Sequence, residues 1–169
     1  MDWRHEIEDF LIKRDGGVSE EEPHLYVDVK AMISRPKLLH GVITEIGDRI
    51  LKNHPSIHAI GSHGVGGSFL VSPIMLYVYN HWFDINGFFV RLDAAQEGKR
   101  NPIEGFLERG WRVLIVDTMI KTGNSSLKAH DLLKANGFIV DGMIVVADLS
   151  GGDNACTRAG LTVDSLVTL

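Results

Sequence analysis

Val113-Leu114-Ile115-Val116 runs without polar interruption into Asp117, and a turn built around Thr122-Gly123 follows. Such a run predicts a strand buried on both faces, which a sheet covered by helices on both sides provides. The aspartate then stands at the strand's carboxyl end, where open α/β sheets place their ligands. From Lys121 to Ser125 the side chains include small ones, so several backbone N–H groups can converge on one phosphate. The helix expected from Asn124 adds the positive end of its dipole. Thr122 and Ser125 can donate hydroxyl hydrogen bonds, and Asp117 can accept them from a ligand. The competing reading is a plain strand–turn–helix with Asn124 or Ser125 as the helix cap.

Around this segment the chain alternates strand and helix. Apolar residues Ile7, Phe10 and Leu11 predict a helix over residues 3–13, and Leu25-Tyr26-Val27-Asp28-Val29 alternates as a strand does. A helix start near Ser34 and Pro36 leads an amphipathic stretch to about Asn53. Strands are expected at Ile57–Ile60, Gly87–Arg91, Arg112–Val116, Ile139–Ala147 and Thr162–Val167. Helices are expected at Phe69–Tyr79, Asn124–Asn136 and residues 152–159, with Gly61–Gly67 a glycine-rich turn and Leu92–Asn101 a polar loop. This order implies an α/β fold: three layers, a mostly parallel central sheet, helices on both faces. All 169 residues fit one domain, with residues 1–24 a short leading segment.

The order of pieces resembles the type I phosphoribosyltransferases, and most of all the orotate phosphoribosyltransferases. Asp117-Thr118-Met119-Ile120-Lys121-Thr122-Gly123 is similar to their phosphoribosyl pyrophosphate motif. Thr118 replaces the usual second acid, as a non-acidic residue does in the uracil enzymes. Gly61-Ser62-His63-Gly64-Val65-Gly66-Gly67 takes the place of the pyrophosphate loop, and Tyr26–Lys30 with Ser34-Arg35-Pro36 resembles the early strand and helix start. Phe89-Val90-Arg91 leads into the place of the mobile catalytic loop, and Ile103-Glu104-Gly105 is similar to its exit. Asp148 with Gly151-Gly152, and the stretch from Ala159 to Leu169, resemble the C-terminal part.

That resemblance implies roles. Asp117 and Thr118 would hold the ribose, and Lys121, Thr122, Gly123, Asn124 and Ser125 the 5-phosphate. Ser62, His63, Gly64, Val65 and Gly66 would meet the pyrophosphate, with Arg91 and Asp117 as the catalytic residues. Mg²⁺ would be carried mainly by the pyrophosphate substrate, with no metal site of the protein's own, and a homodimer is implied.

The chemistry departs from that pattern in places. Two lysines and a histidine of the family's mobile loop are represented by Leu92, Ala95 and Glu97, although Lys99 and Arg100 lie nearby. Leu149 stands where an arginine meets the carboxylate of orotate, which argues against orotate as substrate. Two functions therefore stay open. One is transfer of ribose 5-phosphate to a nitrogenous base. The other is a catalytically inactive protein that binds a phosphoribosyl compound or nucleotide in a regulatory or subunit role.

Other residues say less. His63 reads as an exposed loop histidine in preference to a pyrophosphate donor, and His54, His58 and His81 share no metal-ligand spacing. Trp82 and Trp111 are expected to pack or to form an interface. The net charge of −5 argues against nucleic-acid or anionic-membrane partners. One cysteine, Cys156, excludes an internal disulfide. With no signal-peptide core and no apolar run of about 20 residues, a cytoplasmic location is expected.

Overall fold

The computed structural model describes residues 29–93 and 101–169. The helix expected over residues 3–13, the strand residues Leu25 to Asp28, and Ala95, Glu97, Lys99 and Arg100 lie outside the described residues.

Described elements run α1 (Val29–Ile33), α2 (Pro36–Asn53), β1 (Ala59–Ser62), α3 (Val65–Tyr79), β2 (Asn86–Val90) and β3 (Ile103–Gly105). There follow β4 (Arg112–Ile120), α4 (Asn124–Ala135), β5 (Ile139–Asp148), α5 (Ala155–Arg158) and β6 (Val163–Thr168). The six strands form one sheet in the order β3-β2-β1-β4-β5-β6. Its pairings are parallel, apart from the antiparallel β2–β3 pair.

The apolar runs of the central strands divide by alternation between two cores. Leu114 and Val116 join Ile144 and Val146 under Met32, Val42, Ile46, Leu70 and Ile74 of α1–α3. Val113 and Ile115 join Met143 and Val145 under Ala129 and Leu133 of α4 and Cys156 of α5. Each such side chain taken from water contributes roughly 1.5–3 kcal/mol, which is why an uninterrupted apolar strand demands cover on both faces. The three-layer expectation holds.

Several boundaries differ. Val29, expected to end a strand, begins α1, because Val29, Met32 and Ile33 bury one face at helical spacing. Ser34 closes α1 through its bond to the Ala31 carbonyl, and Arg35 is the N-cap of α2 with Pro36 behind it. β1 lies two residues later than expected, and α3 already starts at Val65, inside the stretch read as turn. β4 continues through Asp117 to Ile120, held by its ladder to Val145–Asp148 of β5. β3, three residues long, was not expected at all. No helix among the described residues is long and apolar enough to cross a membrane.

Candidate functional site

The strand order reverses direction between β1 and β4. From β1 the chain crosses by α3 to β2 on one side, and from β4 by α4 to β5 on the other. The loops leaving these two neighbours diverge and open a crevice at their carboxyl ends, the switch point at which such sheets bind ligands. Ser62–Gly66 lies on one lip and Thr118–Ser125 on the other.

On the β4 side, Gly123 is the N-cap of α4 in the left-handed conformation, at φ 76°, and no side chain caps the helix. With no side chain among the described residues capping them, its first-turn amides are available to an anion. Lys121, Thr122, Asn124 and Ser125 are exposed around them. A second helix end supports the turn from behind. Ala155 N–H donates to the Thr122 carbonyl at 2.9 Å, and Cys156 Sγ lies 3.5 Å from the Gly123 carbonyl. A Cβ on Gly123 would stand 3.0 Å from the Ala155 nitrogen, so packing as well as φ excludes a side chain there. Fully buried Asn154 holds this support by accepting from the amides of Cys156 and Thr157. The sequence reading missed Asn154, although Asn154 and Thr157 form a capping box whose spacing is visible in the chain.

On the β1 side, Ser62 is 1 % exposed and its hydroxyl is turned into its own loop at Gly64, 3.3 Å away. It shapes the turn. Gly66 and Gly67 let α3 lie directly against β4: an added Cβ would come 2.5 Å from Thr118 Oγ1 at Gly66, and 2.6 Å from the Val116 carbonyl at Gly67. Val65 is exposed.

Asp117 stands between the lips. Its Oδ1 accepts from the Thr118 N–H at 2.7 Å, and the Gly67 N–H favours the charged carboxylate. Its Oδ2 faces His63 Nε2 at 3.4 Å. His63 is thus not the exposed loop residue expected, since its side chain is 5 % exposed. Its Nε2 also lies 3.5 Å from Ser126 Oγ, while Nδ1 is buried without a partner among the described residues. Ser126, buried on the first turn of α4, carried no sequence signal of its own. Burial pushes Asp117 above the usual carboxylate range, against the pull of His63 and the Thr118 and Gly67 amides. Burial likewise holds His63 below its ordinary value, against the opposing effect of Asp117.

Other expected residues lie apart from this centre. Thr118 is buried against Gly66, with its own N–H on Asp117. Arg91 follows β2 on the same edge of the sheet, but its guanidinium pairs with Glu104 at 3.0 Å and approaches Asp93 at 3.9 Å. Leu149 packs against the core beneath α1–α3. Among the described residues no three histidine, cysteine or acidic side chains gather into a metal-ligand group.

No family model matches the chain. The orotate phosphoribosyltransferase of Sorangium cellulosum is 30% identical over 162 residues, spanning 94% of this chain and 84% of its own. A phosphoribosyltransferase structure from Corynebacterium diphtheriae superposes with a TM-score of 0.76 at 25% identity, over 99% of this chain and 96% of that one. The orotate phosphoribosyltransferase of Mycobacterium tuberculosis H37Rv, in complex with 5-phospho-α-D-ribosyl 1-diphosphate, shares the fold at a TM-score of 0.70 and 24% identity, over 99% and 87% of the two chains. A crevice at the β1–β4 switch point and a relative that spans nearly the whole chain lead to the same assignment: the chain belongs to the orotate phosphoribosyltransferase family.

Proposed function

We propose that this protein binds phosphoribosyl pyrophosphate and transfers its ribose 5-phosphate group to a nitrogenous base. The observation that carries this reading is the uncapped N-terminus of α4, reached through a left-handed glycine, beside a carboxylate in the carboxyl-terminal half of β4. Amides from Lys121 to Ser125 hold the 5-phosphate, aided by the Lys121 charge and the Thr122 and Ser125 hydroxyls. Asp117 accepts from the sugar hydroxyls, with Thr118 locking its other oxygen. The backbone from Ser62 to Gly66, ending in the N-terminus of the 15-residue α3, receives the pyrophosphate.

A magnesium ion fits this site as a companion of the substrate's pyrophosphate oxygens, since no carboxylate cluster gathers among the described residues to hold the ion itself and Mg²⁺ keeps much of its water. When bound, it would offset charge on the leaving group. Orotate is not the favoured base. Leu149 is apolar and half-buried against the core, so it offers nothing to a carboxylate.

A second reading, binding without transfer, is favoured by Arg91. Its engagement with Glu104 and Asp93 offsets a cation that a departing pyrophosphate would need. Calorimetric titration with phosphoribosyl pyrophosphate and Mg²⁺ is expected to show binding under both readings. Pyrophosphate release across a panel of purine and pyrimidine bases is expected under the first alone, and silence across the panel leaves the second.

A cytoplasmic homodimer completes the proposal. Helix α3 carries no charged residue, and Val65, Phe69, Leu76 and Tyr79 are each about two-thirds exposed along one stripe. Trp82, just beyond it, is 98 % exposed and held at φ 64°, a left-handed conformation that a bulky residue rarely adopts. A continuous apolar patch of this kind marks a contact surface. Because the stripe is uncharged, two copies of a chain with net charge −5 can bring it together without direct repulsion across it.

A further inference from the structure

The imidazole of His63 lies against the carboxylate that the proposed function assigns to the sugar. Oδ1 of Asp117 takes the Thr118 amide at 2.7 Å and lies 3.4 Å from the Thr118 hydroxyl, so Oδ2 is the oxygen more open to a ligand. His63 Nε2 faces that oxygen at 3.4 Å, and the adjoining Gly64 would bring a Cβ to within 3.6 Å of it. We infer that His63 is an internal competitor for Asp117, occupying in the free protein the carboxylate oxygen that a ribose hydroxyl takes, so that binding requires the ring to swing aside. The inference rests on the reading of Asp117 as the ribose-holding residue.

The ring is poorly held. At 3.4 Å from Asp117 and 3.5 Å from Ser126, both contacts of Nε2 are longer than a good charge-assisted hydrogen bond. Nδ1 is buried with no partner among the described residues. A buried polar atom left unsatisfied favours any movement that brings it to water. Displacing the ring gives Nδ1 water and gives Oδ2 a sugar hydroxyl.

The competition strengthens in acid. Among the described residues Asp117 on β4 is the charged group that acts on His63, and Ser126 on α4 presents only a hydroxyl. Burial favours the neutral ring, which is a weak rival for the carboxylate. A proton on the ring turns the contact into an ion pair and closes the site to the sugar. His63 thus sets how tightly ribose binds as a function of pH, without touching the phosphate.

Calorimetry with ribose 5-phosphate on the full chain tests this. His63→Ala is expected to bind it roughly threefold to tenfold more tightly than the wild type, because a self-occupied fraction is removed. The advantage is expected to grow as pH falls below about 6.5, where the ring begins to take its proton. Equal or weaker binding by the variant on both sides of that pH overturns the inference and makes His63 a bystander or a donor. On the wild type, the His63 ring resonances in NMR are expected to move when ribose 5-phosphate saturates the protein; unmoved resonances overturn it without any substitution. Asp117→Asn separates the two levels. If that variant binds like the wild type, the assignment of Asp117 fails; if it binds more weakly while His63→Ala gains nothing, only the competition fails.

Discussion

The sheet carries a histidine–aspartate pair near each of its edges, and the two are built to opposite electrostatic ends. Near the amino edge, His54 Nδ1 lies 2.6 Å from Asp141 Oδ2 while Arg112 bonds the other carboxylate oxygen. Asp141 reaches both because the β4–β5 register shifts there: Val113 pairs with Val140 and Leu114 with Gly142, leaving Asp141 the extra residue. Burial opposes its charge, yet the bonds from His54 and Arg112 outweigh burial and hold its carboxyl below the usual range. At the carboxyl edge Asp117 has a looser histidine and, among the described residues, no paired lysine or arginine, and burial wins, lifting its carboxyl. A fully partnered carboxylate fastens structure. The under-partnered one is the carboxylate that the proposed function assigns to the sugar.

The largest expected effect falls on the partnered pair. Asp141→Ala strips both His54 and Arg112 of their acceptor and is expected to cost roughly 3 kcal/mol in urea denaturation. Affinity for phosphoribosyl pyrophosphate should not change. The acid limb agrees in sign: a carboxyl lowered in the folded state stabilises above its unfolded pKa, near 4, and that contribution is lost as pH falls through the lower folded value. The variant is expected to lack this limb. Full stability in Asp141→Ala would erase the contrast.

Asp117→Asn is expected to behave inversely. Calorimetry should show affinity for phosphoribosyl pyrophosphate falling about 30-fold, close to 2 kcal/mol, as a charged acceptor is lost. Stability should hold or rise, because a carboxyl raised in the folded state disfavours folding as pH climbs from its unfolded pKa through the folded one. His63 adds the complementary sign. Its folded value lies below the unfolded one, so stability falls as pH drops through about 6.5, and His63→Gln is expected to flatten that slope in thermal melts between pH 7 and 5.

What the sequence made legible follows the same division. Buried strands announce themselves by composition, so β4, β5 and the position of Asp117 were readable. The start of α3 was not, because Gly66 and Gly67 are poor helix formers and are required only by contact with Thr118, Ser62 and the Val116 carbonyl. Nor was the Asp141 cluster, whose members are brought together by a register shift between residues 29 and 87 positions apart. His63 is buried where it meets Asp117 of β4 and Ser126 of α4, both remote in the chain, and no local pattern encodes that. Conversely, Arg91 was readable as a cation but not as one engaged by Glu104, which lies on the strand opposite.

The exposed stripe of α3 sharpens the contrast from outside the site. Leu76→Glu is expected to weaken self-association at least tenfold, about 1.4 kcal/mol, read as a shift from dimer to monomer by sedimentation. A wild type that sediments as a monomer at all concentrations would remove the stripe's proposed role and leave the two carboxylate pairs untouched.

The smallest effect concerns the turn that makes Asp117 useful. Gly123 and Gly160 are both left-handed, at φ 76° and 81°, but only Gly123 has neighbours that a Cβ would meet. Alanine at Gly160 thus measures backbone strain alone, about 1 kcal/mol. At Gly123 the same strain is joined by pressure on the amide of Ala155, 3.0 Å away, which the Thr122 carbonyl holds in place. Gly123→Ala should therefore lower stability more than Gly160→Ala, and it alone should weaken binding of ribose 5-phosphate, since the first turn of α4 must shift to admit the methyl group. Equal losses in both variants, with affinity intact, would mean that the anion does not sit on that turn.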